Sequence, residues 1–199
     1  MSFSGKVKEE LSRQISTARH CQIAEIAAIL SVCGQVSISA NDHFCVTVHT
    51  ENVSVARKYF TLVEKTFNIE AVIHVRKNVY LKKSNVYRVE VPSHEDTVRI
   101  LQATKFMSPE QEIADDLSVM SRLVIQKECC KRAFLRGTFL AAGSISDPEK
   151  GYHLEIVCST MERAEQIQSI MKEFELDARI VTRKKNQVVY LLSLIHISE

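Results

Sequence analysis

Apolar and polar positions fall into a pattern that this chain carries twice. The run IAEIAAILSVCG (23–34) reads as a helix ending in glycine, and RAFLRGTFLAAG (132–143) reads the same way. The two glycines, Gly34 and Gly143, lie 109 residues apart (143 − 34). After each comes a short β-prone run (35–40 and 144–146) and then a turn signal, Asn41-Asp42 or Asp147-Pro148. Strict alternation follows, with Phe44, Val46 and Val48 in the first copy and Leu154, Ile156 and Cys158 in the second. That period is the one a half-buried strand needs. Amphipathic helices are predicted over 53–67 and 161–174. Each copy then runs a strand into a basic turn, AVIHVRKN (71–78) and ARIVTRKKN (178–186), with Arg76 matching Arg183. A final strand closes each copy, over 86–91 and 188–192.

Two copies of helix-strand-strand-helix-strand-strand predict an α+β fold with antiparallel hairpins. The division expected is an entry segment (1–20), a first half (21–105), a linker (106–127) and a second half (128–191). The entry helix is placed over Lys6–Gln14 with Ser4 as its N-cap, and a further helix over about 95–105. A linker helix is expected to hold the boundary, within 106–128. Aligning the two glycine-ended helices sets Ala24, Ala28 and Val32 opposite Ala133, Gly137 and Ala141. Four-residue spacing puts each set on one face, so two ridges of small residues can meet closely. Gly137 lowers helix propensity by ~1 kcal/mol relative to alanine, which fits a place where backbones approach. Gly34 and Gly143 are expected in the left-handed conformation that ends many helices.

Composition narrows the chemistry. With 199 residues, 45% of them hydrophobic, the chain can build one sizeable core or two halves sharing one. The net charge is +2, so any nucleic-acid contact depends on how the 26 basic residues are arranged. The six cysteines show no C-x-x-C spacing, and adjacent Cys129 and Cys130 look badly placed to share one tetrahedral metal. They read as reduced, structural thiols in a cytosolic protein. The first residues lack an apolar signal core, and no stretch reaches the ~20 apolar residues of a membrane span. Seven histidines form no helical pair or triad set, and no Gly-rich phosphate loop occurs. No metal and no cofactor is expected.

Longer stretches carry a resemblance. KECCKRAFLRGTFLAAGSISDPEKGYHLEI (127–156), SFSGKVKEELSR (2–13), VYLKKSNVYRV (79–89) and RKKNQVVYL (183–191) are similar to the WhiA family of bacterial regulators. That resemblance implies two pseudo-symmetric αββαββ units like a single-chain LAGLIDADG homing endonuclease, with saddle-shaped antiparallel sheets that lie over DNA. In the endonucleases, an acid just before each terminal glycine holds the catalytic divalent metal. Here those positions are Cys33 and Ala142, and neither supplies the hard oxygen that magnesium needs. The nearest carboxylates are Glu25, Asp42 and Asp147; the two aspartates read as turn residues. The resemblance therefore implies an inactive endonuclease-like domain of a nucleoid-associated transcriptional regulator of sporulation and cell division. A helix-turn-helix domain would follow it, and protein partners are implied as well. Residues 192–199 (LSLIHISE) depart from the family and read as a non-native tail. The rival readings are an active homing endonuclease and a protein-interaction domain that does not touch DNA.

Strand alternation supplies the candidate DNA surface. Ala71, Ile73 and Val75, and likewise Ala178, Ile180 and Thr182, are expected to face the core. Val72, His74 and Arg76, and Arg179, Val181 and Arg183, then face out, joined by Thr47, His49 and Arg88. Lys77, Lys82, Lys83, Lys184 and Lys185 gather at the hairpin tips. A cationic rim of this kind is what phosphate contact requires. Double-stranded DNA, held weakly and without sequence preference, is the expected partner. Few aromatic residues share this face, which argues against single-strand binding.

Overall fold

The computed structural model describes residues 1–77, 84–147, 149, 151 and 153–192. The first half comprises α1 (Phe3–Arg13), α2 (Arg19–Cys33), β1 (Gly34–Ile38), β2 (Phe44–Thr50), α3 (Val53–Phe67), β3 (Val72–Lys77), β4 (Asn85–Val91) and α4 (His94–Ala103). The second comprises α5 (Glu128–Ala142), β5 (Gly143–Ile145), β6 (His153–Cys158), α6 (Met161–Glu173), β7 (Arg179–Arg183) and β8 (Asn186–Leu192). Each half builds an antiparallel four-stranded sheet, ordered β1-β2-β4-β3 and β5-β6-β8-β7. The fold is α+β with two matching units, as the repeat predicts.

Helix starts are set by side-chain caps. Asn52, Ser93 and Thr160 accept from backbone amides of the first turns of α3, α4 and α6. The entry helix begins earlier than expected. Ser2, not Ser4, is its N-cap and accepts from the Gly5 amide at 3.1 Å. Ser4 Oγ instead accepts from the Ile145 amide at 3.3 Å, tying α1 to the second sheet.

At the centre, α2 packs along α5. Helix α2 buries Cys21 and every residue from Ala24 to Leu30, so it is enclosed on all sides. A Cβ built on Gly137 would lie 2.9 Å from Ala28 Cβ and 2.9 Å from the Glu25 carbonyl oxygen. Two backbones can come this close only without a side chain at that point. Ala24 and Ala133 are fully buried, while Val32 and Ala141 are half-buried.

The terminal glycines are needed for a different reason from the one expected. Gly34 and Gly143 have φ of −78° and −94°, ordinary extended backbone, not left-handed. Each helix passes straight into a strand with no intervening turn. A Cβ at Gly34 would sit 2.4 Å from the Leu30 carbonyl oxygen, and one at Gly143 would sit 2.7 Å from that of Phe139. Close approach, not handedness, excludes a side chain at both places.

In the sheets, Val46, Val48, Val89 and Val91 bury one face of the first, and Ile156 and Val189 that of the second. The edge strands are less covered than alternation suggests. Ile73 pairs with core-facing Val89, yet Ile73 and Val75 are exposed, as is Thr182 in β7. Strands β3 and β7 are outer edges of their sheets, where Ile73, Val75 and Thr182 have a neighbouring strand on one side only. Thr47 shows the reverse. Expected on the open face, it is buried at 5% exposure, between Gln35 and Glu90 on the neighbouring strands. No α-helix forms over 104–127, contrary to the expected linker helix. That linker is anchored by buried Phe106, Met107, Met120, Val124 and Ile125, and Gln166 brackets Met120 through both backbone groups. Residues 193–199 of the supposed tail lie outside the described residues, whereas Leu192 pairs with His153 inside β8.

Candidate nucleic-acid interface

The C-terminal ends of α2 and α5 are where the resemblance to the endonucleases leads one to expect metal-binding acids. Cys33 is half-buried there, and burial pushes its thiol up to about 11. Lys8 and Arg163 both lie near enough to Cys33 to act on it electrostatically. Arg163 is itself buried, donating to the Ser31 carbonyl at 3.0 Å, to Ser31 Oγ at 2.7 Å and to the Ser118 carbonyl at 2.9 Å. Ala142 offers no ligand. The three carboxylates nearest in sequence are engaged or turned to other work. Glu25 is buried against Lys58 and Arg136; Asp147 caps the Glu149 amide at 3.1 Å; Asp42 sits in the β1–β2 turn at φ +53°. Among the described residues, no group of three metal-ligating side chains gathers at these helix ends. Lys8 and Arg163 border the place, and the Asp116 carboxylate lies near enough to Arg163 to act on it.

The outward faces of the sheets follow from register. In the first sheet, Thr47 pairs Glu90 and Val72 pairs Glu90; the next row is His49, Arg88 and His74. Arg76 continues this face, whereas Lys77, one residue on, points to the other side. In the second sheet, Glu155, Tyr190 and Arg179 form one row, Val157, Val188 and Val181 the next, and Asn186 with Arg183 the last. Arg183 reaches back across the valine row to Glu155, bonding it at 2.7 Å, and Val188 beneath is 2% exposed.

This pairing changes the charge of the surface. Arg88 is bonded to Glu90, Arg183 to Glu155, and Arg179 to Asp177 at 3.6 Å. His153 also bonds Glu155, at 2.5 Å. Its hydrogen bond, followed by that of Arg183, holds the Glu155 carboxyl below the usual carboxylate range. The expected cationic face is thus partly neutralised from within. Arg76, Lys77, Lys184 and Lys185 are exposed at the outer edge, and no described acid within salt-bridge range pairs them. Lys82 and Lys83 lie outside the described residues. Alternation already carried the signal for Glu90, two residues from Arg88 and so on its face.

A second cluster went unseen in the sequence. His20, Cys21, Cys129 and Cys130 converge at the other end of the α2–α5 pair, their ligand atoms all within 4.8 Å of one another. Adjacent Cys129 and Cys130, expected to be badly placed for a shared metal, both bring sulfur near His20 Nδ1. The 109-residue offset pairs His20 with Cys129 and Cys21 with Cys130, which is the signal that could have found them.

Comparison with known proteins agrees with this architecture. Residues 19–107 match the family model of the WhiA N-terminal LAGLIDADG-like domain, and residues 131–199 match that of the WhiA LAGLIDADG-like domain. A probable cell division protein WhiA from Lachnoclostridium phytofermentans is 51% identical over 191 residues, covering 96% of this chain. The chain belongs to the WhiA family. A WhiA from Desulforamulus reducens, also named a probable cell division protein, is 40% identical over 196 residues. The chain spans 61% and 59% of the lengths of these two WhiA relatives. The crystal structure of full-length DUF199/WhiA from Thermatoga maritima superposes with a TM-score of 0.69 at 20% identity, over 98% of this chain and 58% of that one. The homing endonuclease I-DmoI, in complex with DNA and Mn, superposes at 0.58 with 12% identity, over 87% of this chain and 90% of that one. WhiA and the homing endonucleases therefore share this fold. No described helix is long and apolar enough to cross a membrane.

Proposed function

We propose that this chain is the catalytically inactive, endonuclease-like part of a DNA-binding regulator of cell division and sporulation-type transcription, and that it holds duplex DNA weakly over its sheets. The observation that carries this reading is the edge of the second sheet. The β7–β8 hairpin turns on Lys184 and Lys185 alone, between paired Arg183 and Asn186. Lys184 stands at φ +56°, a conformation that costs roughly 1–2 kcal/mol for residues other than glycine, asparagine or aspartate. Lys184 holds the one place in the tip where glycine or asparagine would serve the backbone better, and a second lysine follows it. Arg76 occupies the equivalent edge of the first sheet, at a residue offset of 107 from Arg183 (183 − 76). Cation at matched edges suits the regularly spaced phosphates of a duplex. The I-DmoI neighbour, of the same fold, is in complex with DNA and Mn in its crystal structure. Lys8 and Arg163 beside Cys33 support the loss of cleavage, since they oppose a divalent cation there.

Phosphate contacts carry little sequence information, so binding is expected to be sequence-indifferent, with Kd on the order of 10⁻⁴–10⁻⁶ M. Fluorescence anisotropy on two unrelated duplexes, across a salt series, tests this. Equal affinities with a steep salt slope support the reading. Absence of binding at low salt replaces it with a protein-interaction role for the same surface.

A further inference from the structure

We infer that His20, Cys21, Cys129 and Cys130 form a structural zinc site that clamps the two halves of the molecule together. His20 and Cys21 lie in the first turn of α2, and Cys129 and Cys130 in the first turn of α5. The helices run side by side at a separation set by Gly137 against Ala28, so their first turns arrive together. Because the halves are repeats, each contributes a pair of adjacent ligands from equivalent positions. Adjacent cysteines on one helix cannot surround an ion alone, but two such pairs facing each other can.

The spacing fits the metal. From His20 Nδ1 the sulfurs of Cys130, Cys21 and Cys129 lie at 3.2, 3.4 and 3.8 Å. With Zn–S near ~2.3 Å and Zn–N near ~2.0 Å, a tetrahedral site has N···S edges of about 3.5 Å and S···S edges of about 3.8 Å. The observed distances straddle the first value, and no pair of the four atoms exceeds 4.8 Å. Three thiolates and an imidazole select a borderline-soft ion over magnesium or calcium. Four protein ligands leave no open position, which marks a structural rather than a catalytic centre. Zinc with three thiolates carries one net negative charge. The ends of two helices that meet it are their positive ends. Lys105 and Lys127 line the cavity of about 180 Å³ that adjoins His20 and Cys130. Cys21 and Cys130 are buried while His20 and Cys129 are exposed, so an ion has a path from solvent into a fixed half-shell.

The test uses the full chain without an affinity tag, purified under reducing conditions and titrated with zinc alone, then with cobalt(II) as a visible probe. One zinc per chain is expected, and cobalt should show the intense visible bands of a tetrahedral site with thiolate-to-metal charge transfer. Cys129→Ser should lose stoichiometric zinc and the charge-transfer band while keeping the native circular dichroism, because Cys129 is exposed. Cys33→Ser and Cys45→Ser, elsewhere in the fold, should bind as the parent does. Zinc should raise the unfolding midpoint of the parent and leave that of Cys129→Ser unmoved. Failure of the reduced, folded parent to take up zinc overturns the site. Equal uptake by the Cys129→Ser and Cys33→Ser variants overturns it as well.

Discussion

The carboxylate of Glu25 on α2 meets the ammonium of Lys58 on α3 at 3.0 Å, and both side chains are wholly buried. The pair joins three parts of the first half to the second. Lys58 Nζ also donates to the carbonyl of Leu11, at 3.0 Å, and to that of Gln14, fastening the end of α1. Arg136 of α5 donates to both Glu25 oxygens, at 3.2 and 3.3 Å, and to Ser16 Oγ at 3.0 Å. Burial lowers the Lys58 amine and Glu25 opposes that, so the ion pair is kept only while the acid is present. Removing one partner leaves an uncompensated buried charge, which costs about 3–5 kcal/mol. Glu25→Ala is therefore expected to destabilise by that amount in urea unfolding, and Glu25→Ala combined with Lys58→Met by distinctly less. A Glu25→Ala change under ~1 kcal/mol would remove the hub from the account.

The repeat makes most of this architecture legible in the sequence, because elements recurring in order at one offset constrain each other. Local conformation was less legible. Gly34 suggested a left-handed cap, but whether a helix ends in a turn or runs directly into a strand depends on where the sheet lies, which is tertiary information. Alternation assigned the faces of β3 correctly and its burial wrongly, since period two says which side Ile73 is on and nothing about what covers it. The charge of the candidate surface was misjudged for a related reason. Arg183 and Glu155 are far apart in the chain and meet only through the pairing of β6 and β7 with β8.

The α2–α5 seam yields a second prediction. A Cβ at Gly137 already meets Ala28 Cβ and the Glu25 carbonyl at 2.9 Å, so a larger side chain must push the helices apart. Gly137→Leu should destabilise by ~1–3 kcal/mol or more. Lys172→Leu, at an exposed position of α6, should change stability by within ~0.5 kcal/mol. Equal shifts in the urea midpoint for the two variants would refute close packing at this point.

Third, the chain should not cut DNA. Magnesium and manganese require oxygen ligands, and the helix ends present Cys33 and Ala142 with Lys8 and Arg163 nearby. Incubation of supercoiled plasmid with either ion should leave it intact over the time in which an active endonuclease linearises it. Chelator-sensitive nicking that disappears on mutation of this chain would establish a different metal site.

The last prediction concerns a brake on the proposed DNA surface. Glu155 holds Arg183 at 2.7 Å and His153 at 2.5 Å, so this arginine is engaged in the free protein. The Glu155 carboxyl is held below its ordinary value, chiefly by His153 and then by Arg183. Its contribution to stability is therefore present above the unfolded carboxyl's ordinary value and is lost as pH falls through the lower, folded one. Near neutral pH the acid stays charged and Arg183 stays held. Glu155→Gln should release it, giving tighter duplex binding and a salt slope steeper by roughly one phosphate contact. Arg183→Ala alone should change binding little, because the engaged arginine contributes little to the parent complex. Lys184→Ala with Lys185→Ala, at the unpaired tip, should weaken binding more. The gain in Glu155→Gln must then vanish when Arg183→Ala is added, a coupling that a double-mutant cycle measures directly. Anisotropy titrations of these four variants at two salt concentrations make the comparison. If Glu155→Gln tightens binding equally with and without Arg183, the gain comes from removing a negative charge alone, and the restraint of Arg183 by Glu155 has no part in how this surface meets DNA.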